Sequence, residues 1–130
     1  MQPEQQMAPS EHTVAVLGAS PKPGRYSNQA VRLLKEQGYR VIPVHPRFPE
    51  IEELPVAPAV SAIQEPVDTL TLYVGAERSQ PLIDDIVALA PGRVIFNPGS
   101  ESAELERALK NNGITFFHAC TLVMLRTRQF

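Results

Sequence analysis

Residues 13–28, with the sequence TVAVLGASPKPGRYSN, constrain the fold more than any other part of the chain. A short apolar run ends in Gly18, a loop of small residues and prolines follows, and a helical pattern then begins near Tyr26. A buried strand, a glycine turn and a helix N-terminus, in this order, form the anion site of doubly wound α/β domains. We therefore expect Gly18 to turn the backbone sharply, close to a bound phosphate.

The rest of the chain alternates between apolar runs and helical patterns. Five strands are predicted, at 13–18, 40–44, 69–74, 93–96 and 114–117. Helices are predicted at 26–37, 80–90 and 101–111, with shorter ones near 58–64 and from residue 121, a loop over 46–57, and Ser79 and Ser100 as N-caps. This pattern predicts an α/β, Rossmann-like, doubly wound parallel sheet of about five strands with helices on both faces. In such a sheet, ligands bind beyond the carboxyl ends of the strands.

Composition narrows the class of protein. The 130 residues and the 43% hydrophobic share fit one domain, predicted at 13–130 after a flexible tail over 1–12. A net charge of −2 without a basic tract gives no reason to expect nucleic acid. No apolar run approaches the roughly 20 residues that span a bilayer, and no secretory signal is visible. A single cysteine excludes an intrachain disulfide and favours the cytoplasm. The sequence does not indicate an oligomeric state or a protein partner.

The glycine loop departs from the dinucleotide fingerprint G-x-G-x-x-G, because Ser20 stands where the second glycine belongs. No acid ends the second strand to bind the ribose of NAD; His45-Pro46-Arg47 stands there instead. A cation at this point suits a phosphate on the ribose, which NADP and coenzyme A both carry. Ser20 and Arg25 would donate to phosphates. The alternatives are that Gly18 and Ser20 serve only a tight turn and a helix cap, and that the cations are solvated.

Two motifs carry a resemblance to a known family: V-x-G-A-S-x-x-P-x-R-x-S, which starts at Val16, and V-I-P-V-x-P-R, which starts at Val41. The chain resembles the small stand-alone coenzyme A-binding domain proteins over residues 12–125. These proteins are similar to the nucleotide-binding domain of the succinyl-coenzyme A synthetase α subunit. The resemblance implies a Rossmann-like fold of five parallel strands, with coenzyme A or an acyl-coenzyme A across the strand ends.

The resemblance also implies roles for individual residues. The phosphates would be held by Gly18, Ala19, Ser20, Arg25 and Ser27. The adenosine end would be flanked by Val44, His45, Pro46 and Arg47, and Val74 would pack on the ligand. Two departures from the family are His45, where asparagine is usual, and Asn97-Pro98-Gly99, where a glutamine-glycine segment is usual.

No catalytic set is apparent. His12, His45 and His118 are scattered without metal-ligand spacing. His45 and His118 each follow a predicted strand, so they either meet at the strand ends or line the pocket as separate polar residues. Cys120 is either an inert core residue or a nucleophile at a helix start, able to form a mixed disulfide with the thiol of coenzyme A. We expect a coenzyme A-binding protein that is non-catalytic by itself, since 130 residues leave no room for the ligase's phosphohistidine domain. The alternatives are a small NADP-dependent oxidoreductase, or other nucleotide-dependent enzyme, and an interaction protein that has lost its ligand.

Overall fold

The computed structural model describes residues 7–130, so the first six residues of the predicted tail lie outside it. The strands are β1 (Thr13–Leu17), β2 (Arg40–Val44), β3 (Glu50–Ile51), β4 (Leu54–Pro55), β5 (Thr69–Leu72), β6 (Arg93–Phe96) and β7 (Thr115–His118). The helices are α1 (Tyr26–Glu36), α2 (Ala76–Ser79), α3 (Ile83–Leu89), α4 (Ala103–Asn111) and α5 (Thr121–Arg126). Short 3₁₀ turns form at Pro9–Glu11, Val60–Ala62 and Gln80–Leu82.

Five strands form one parallel sheet in the order β2-β1-β5-β6-β7. All five residues of β1 are buried, and they alternate between two cores. Ala15 and Leu17 face the core that contains residues of α3 and α4, whereas Val14 and Val16 face the core that contains residues of α1 and α5. Helices therefore cover both faces of the sheet, which explains why β1 is apolar throughout rather than alternating. The predicted fold class is confirmed.

Several predicted boundaries were wrong for identifiable reasons. The helix predicted over 80–90 is divided into α2, a 3₁₀ turn and α3, because Pro81 has no N–H to continue the ladder. Ser79 lies at the end of α2 and caps nothing; Gly75 occupies the N-cap. Ser102 rather than Ser100 caps α4, accepting from the Leu105 N–H at 3.2 Å.

Other differences are smaller. The loop predicted over 46–57 contains the antiparallel hairpin of β3 and β4, and only a 3₁₀ turn forms near 58–64. β5 ends at Leu72, two residues before the predicted end, and β7 begins and ends one residue late. At the end of the predicted tail, the His12 Nε2 atom lies 2.8 Å from the Thr69 hydroxyl oxygen. Within residues 7–130, no helix is both long and apolar enough to cross a membrane.

Candidate functional site

The site lies where the sheet changes direction. After β1 the chain forms β2 on one side of it, whereas β5 pairs with β1 on the other side. This is the 2-1-3-4-5 arrangement of doubly wound sheets, in which a crevice forms between the first strand and the third, here β1 and β5. The residues that follow these two strands are Gly18–Ser20 and Tyr73–Val74.

Glycine is required at position 18 for two independent reasons. Its φ is +87°, a left-handed conformation that glycine adopts readily. A Cβ at this position would lie 2.7 Å from Val74 Cγ1 and 2.9 Å from the carbonyl oxygen of Tyr73. The Gly18 and Ala19 N–H groups both donate to the carbonyl of Val44, at 3.2 and 3.3 Å. The loop after β1 is thus fixed against the ends of both neighbouring strands.

We call residues 18–27 the phosphate-facing loop, after the role that the sequence predicts for them, and this loop leads directly into α1. Arg25 is the N-cap residue of α1, and its side chain makes no capping hydrogen bond. The N–H groups of the first turn are therefore not bonded to the side chain of the cap residue. The Ser20 hydroxyl accepts the N–H of Lys22 at 3.1 Å, which leaves its own proton free to donate to an anion. Ser27 is buried behind the helix start, whereas the Arg25 side chain is exposed. Ser20 therefore does not cap α1, so the helix-cap part of that alternative is wrong.

Asn28 holds this loop in place and was missed in the sequence. It is fully buried, and its amide donates to the Ser20 carbonyl at 2.9 Å and to Glu52 Oε2 at 3.0 Å. Arg32 donates from Nε to Asn28 Oδ1 at 2.8 Å and from Nη2 to the Pro23 carbonyl at 3.1 Å. The only sequence signal was the i, i+4 spacing of Asn28 and Arg32; the contact with Glu52 needs the β3–β4 hairpin.

The loop after β2 forms the second part of the site. His45 donates its backbone N–H to Ala57 at 3.1 Å, and its Nδ1 accepts from the Arg47 N–H at 3.0 Å. Its ring centre lies 4.6 Å from that of Phe48. Partial burial, with the nearby charges of Arg47 and Arg78, lowers the pKa of His45. Neutral His45 with Nδ1 as an acceptor keeps Nε2–H as a donor.

Four exposed cations lie along this edge: Lys22, Arg25, Arg47 and Arg78. None of the ion pairs formed among residues 7–130 includes them. Arg78 was missed because it lies on α2, which follows β5 rather than β2; its charge contributes to the lowered pKa of His45. These cations share the edge with the carboxylates of Glu52, Glu77 and Glu101.

Asn97, at the end of β6, has a structural role. It is buried, donates to Thr71 Oγ1 at 2.7 Å and to the Leu72 carbonyl at 2.9 Å, and accepts the Thr121 N–H at 2.8 Å. These bonds fasten the start of α5 to β5 and β6. Cys120 precedes that helix and is half-buried. Near it, the Tyr73 hydroxyl is buried and forms no hydrogen bond of good geometry among the described residues. Burial raises the Tyr73 pKa, and the nearby Thr121 and Thr71 hydroxyls, which bond to each other, oppose that rise only in part.

The structure separates the two histidines that the sequence left open to meet. His45 follows β2 and His118 ends β7, and these strands are the two edges of the five-stranded sheet. Four strand spacings of roughly 4.8 Å place their backbones on the order of 19 Å apart. His118 instead pairs with Glu106 at 3.1 Å and stacks on Phe96. Within residues 7–130, no group of three or more His, Cys, Asp or Glu side chains could hold a metal ion.

Comparisons with known proteins agree with this geometry. A family profile described as a CoA binding domain matches residues 12–126. The chain belongs to this CoA-binding domain family. The membership confirms the resemblance noted in the sequence, and the matched region contains the phosphate-facing loop and the carboxyl ends of all five sheet strands.

Individual relatives support the same assignment. The ADP-forming acetate–CoA ligase I of Archaeoglobus fulgidus is 31% identical over 96 residues, which are 73% of this chain but only 14% of the ligase. A solved protein from Thermus thermophilus is 36% identical with a TM-score of 0.84, and the match covers 92% of this chain and 90% of that protein. An acetyl-coenzyme A synthetase of Ca. Korarchaeum cryptofilum shares the fold at 24% identity and a TM-score of 0.73, over 87% of this chain and 26% of the synthetase.

Proposed function

We propose that this protein binds coenzyme A or an acyl-coenzyme A across the carboxyl edge of its sheet and is non-catalytic by itself. The observation that carries the proposal is the phosphate-facing loop at the switch point, where a side chain on Gly18 would collide with Val74 and an α1 N-terminus without a side-chain cap follows. Membership of the CoA-binding domain family supports it.

The phosphate-facing loop suits the diphosphate of the coenzyme. A helix of 11 residues begins here, and its first N–H groups and partial positive charge attract an anion. Ser20 has a free hydroxyl proton, and Arg25 adds a charge at the helix start. Gly18 lets the backbone approach closely because it has no side chain. Ala19 and Ser27 belong to the same loop. In our proposal, Val74 packs on the ligand beyond the end of β5.

The loop after β2 suits the adenosine end. In our proposal, Val44, His45 and Pro46 flank the base and ribose, and Arg47 faces the phosphate on the ribose. Arg78 supplies a second cation from α2, and its charge reaches His45. A pair of cations would favour coenzyme A over NAD, because NAD lacks the additional phosphate that coenzyme A carries on its adenosine ribose besides the diphosphate. The ribose phosphate of NADP would meet the same cations, so NADP is the competitor that the test must include.

The candidate catalytic groups have other partners. His45 accepts from the Arg47 backbone, and His118 pairs with Glu106. Neither imidazole is hydrogen-bonded to Cys120 among the described residues, so no thiol–imidazole pair of the kind used in nucleophilic catalysis is formed there.

The test is isothermal titration with coenzyme A, acetyl-coenzyme A, NADP and NAD. We expect saturable micromolar binding of coenzyme A and no heat from NAD. Arg25→Gln should weaken coenzyme A binding about tenfold or more, the cost of one charge-assisted hydrogen bond. Arg126→Gln is the matched control, because Arg126 is an exposed cation in the last turn of α5, away from this edge. Tighter binding of NADP than of coenzyme A would instead support an oxidoreductase function. The absence of binding heat with all four ligands would refute the proposal.

A further inference from the structure

The two-residue turn of the β3–β4 hairpin is conformationally strained. Ile51 pairs with Leu54, so Glu52 and Glu53 alone form the turn, with φ values of +51° and +64°. A two-residue turn with positive φ at both positions favours asparagine and glycine, because a Cβ is crowded in this conformation. Among residues 7–130, these glutamates are two of four non-glycine residues with positive φ. Strain of this kind indicates that a side chain in the turn has a task that glycine could not perform.

The Glu52 side chain reaches back to the start of α1. Its Oε2 accepts the side-chain amide of Asn28 at 3.0 Å, and the same amide donates to the Ser20 carbonyl at 2.9 Å. Asn28 is fully buried, so both N–H bonds of its amide need an acceptor. The phosphate-facing loop supplies one acceptor through Ser20, and the hairpin supplies the other through Glu52. One buried amide therefore joins the hairpin to the loop.

Glu53 has the same strain without this contact. Its side chain is exposed, and its Oε1 lies 3.9 Å from the Lys35 Nζ atom. An exposed ion pair at this distance contributes little to stability. Lys35 also donates to the backbone carbonyl of Glu52 at 2.7 Å, a bond that does not depend on the side chain at position 52. Glu53 is therefore a matched control for Glu52 within one turn.

The base of the hairpin is bonded to the loop after β2. Residues 45–49 join β2 to β3, and the His45 N–H donates to the carbonyl of Ala57, shortly after β4, at 3.1 Å. The Val56 N–H donates to the Pro49 carbonyl at 3.0 Å. The hairpin thus contacts both parts of the candidate site, the loop after β2 at its base and the phosphate-facing loop at its turn.

We propose that Glu52 is a positioning residue, which fixes the phosphate-facing loop relative to the loop after β2 by holding Asn28. This inference rests on the proposed function, because it concerns the binding of the same ligand. Glu52 acts through Asn28 and does not touch coenzyme A. A carboxylate beside a loop that attracts phosphates disfavours the ligand electrostatically, so the acceptor that it provides for Asn28, rather than its charge, is what serves binding.

The first test needs no ligand. The Lys22 N–H donates to the Ser20 hydroxyl oxygen at 3.1 Å, and the Arg25 N–H donates to the Lys22 carbonyl at 3.0 Å. Exchange of these two amides with water, measured by NMR, therefore reports the order of the loop. We expect about fivefold faster exchange in Glu52→Gly, the effect of one lost hydrogen bond, and no change in Glu53→Gly. Equal exchange in the two variants would overturn the proposal, whether or not coenzyme A binds.

The second test is calorimetric titration with coenzyme A. Glu52→Gly should weaken binding about fivefold or more, whereas Glu53→Gly should bind as the wild type does. Glu52→Gln keeps a side-chain oxygen that can accept from Asn28 and removes a negative charge, so it should bind at least as tightly as the wild type.

Thermal unfolding separates positioning from a general loss of stability. Glycine relieves the left-handed strain at either position, so Glu53→Gly should raise the Tm by about 2–6 °C. Glu52→Gly also loses a hydrogen bond, and its Tm should stay within about 3 °C of the wild type. Weaker binding by Glu52→Gly at this stability, with full binding by Glu52→Gln, would support the proposal.

Two kinds of failure are distinguishable. If the wild type binds coenzyme A and Glu52→Gly binds it equally well, or if Glu53→Gly loses as much affinity, the role of Glu52 is refuted and the proposed function stands. If the wild type binds no coenzyme A, the proposed function fails, and amide exchange in the free protein still decides whether Glu52 orders the loop.

Discussion

Gly18→Ala should destabilise the protein more than alanine at any of the other six glycines. A left-handed φ costs an alanine about 1–2 kcal/mol. The new Cβ would also lie 2.7 Å from Val74 Cγ1 and 2.9 Å from the Tyr73 carbonyl oxygen, contacts that real Cβ atoms essentially never show. Crowding of this kind costs about 1–3 kcal/mol. The sum is a loss of about 2–5 kcal/mol in the free energy of unfolding.

Two other glycines separate these contributions. Gly113 has a φ of +68° and nothing within 4 Å of its added Cβ, so Gly113→Ala should show the conformational cost alone. Gly24 has open space and no left-handed φ, so Gly24→Ala should be neutral or stabilising by about 0.4–1 kcal/mol. Urea unfolding followed by circular dichroism measures all three differences. If Gly18→Ala costs no more than Gly113→Ala, the close approach of Gly18 to Val74 and Tyr73 is refuted.

Three further predictions concern buried polar groups. Asn28→Ala should lower the free energy of unfolding by about 1–3 kcal/mol and weaken coenzyme A binding, because the Ser20 carbonyl and the Arg32 guanidinium lose their shared partner; urea unfolding and calorimetric titration measure the two effects. Tyr73→Phe should leave urea stability unchanged or raise it by up to about 1 kcal/mol, because the hydroxyl that it removes is buried and forms no hydrogen bond of good geometry among the described residues; a clear loss would reveal a hidden bond. His12 has a lowered pKa in the fold, so the unfolded chain binds more protons near pH 6.5, and stability should be full above that pH and fall below it. Stability curves from pH 5 to pH 8 should be flatter for His12→Gln, and an identical slope would refute the lowered pKa.

Local patterns were sufficient for the framework of the fold. The run from Thr13 to Leu17 is apolar at every position, and only a strand covered on both faces needs that pattern. The strand Arg40–Val44 was located at its observed bounds despite Pro43, and α1 was located to within one residue at its end. Cap positions were less predictable. Serines at 79, 100 and 102 look alike in sequence, and the choice depends on where tertiary packing starts each helix.

The candidate site divides in the same way. Gly18, Ser20 and Arg25 could be predicted as site residues because a strand, a turn and a helix N-terminus follow one another in the chain and form a recognisable pattern. Asn28 with Glu52, and Arg78 beside the loop after β2, were not found. Asn28 and Glu52 lie 24 residues apart, and they meet only because of the β3–β4 hairpin. Arg78 and His45 lie still farther apart in the chain, and the charge of Arg78 acts on His45 only in a sheet where β2 and β5 flank β1. No local sequence pattern links these residues, so only the tertiary structure reveals that they lie near the site.

The amino-acid sequence by itself determined the class of fold and the number of sheet strands, and it predicted a phosphate site in the loop before α1. These depend on hydrophobic period, glycine and short-range order, which act within about ten to fifteen residues. The tertiary structure alone decided the strand order and the approach of Asn28 to Glu52 beside the loop after β1. Those features arise from residues far apart in the chain, which are brought together because burying both faces of one sheet is what stabilises the fold.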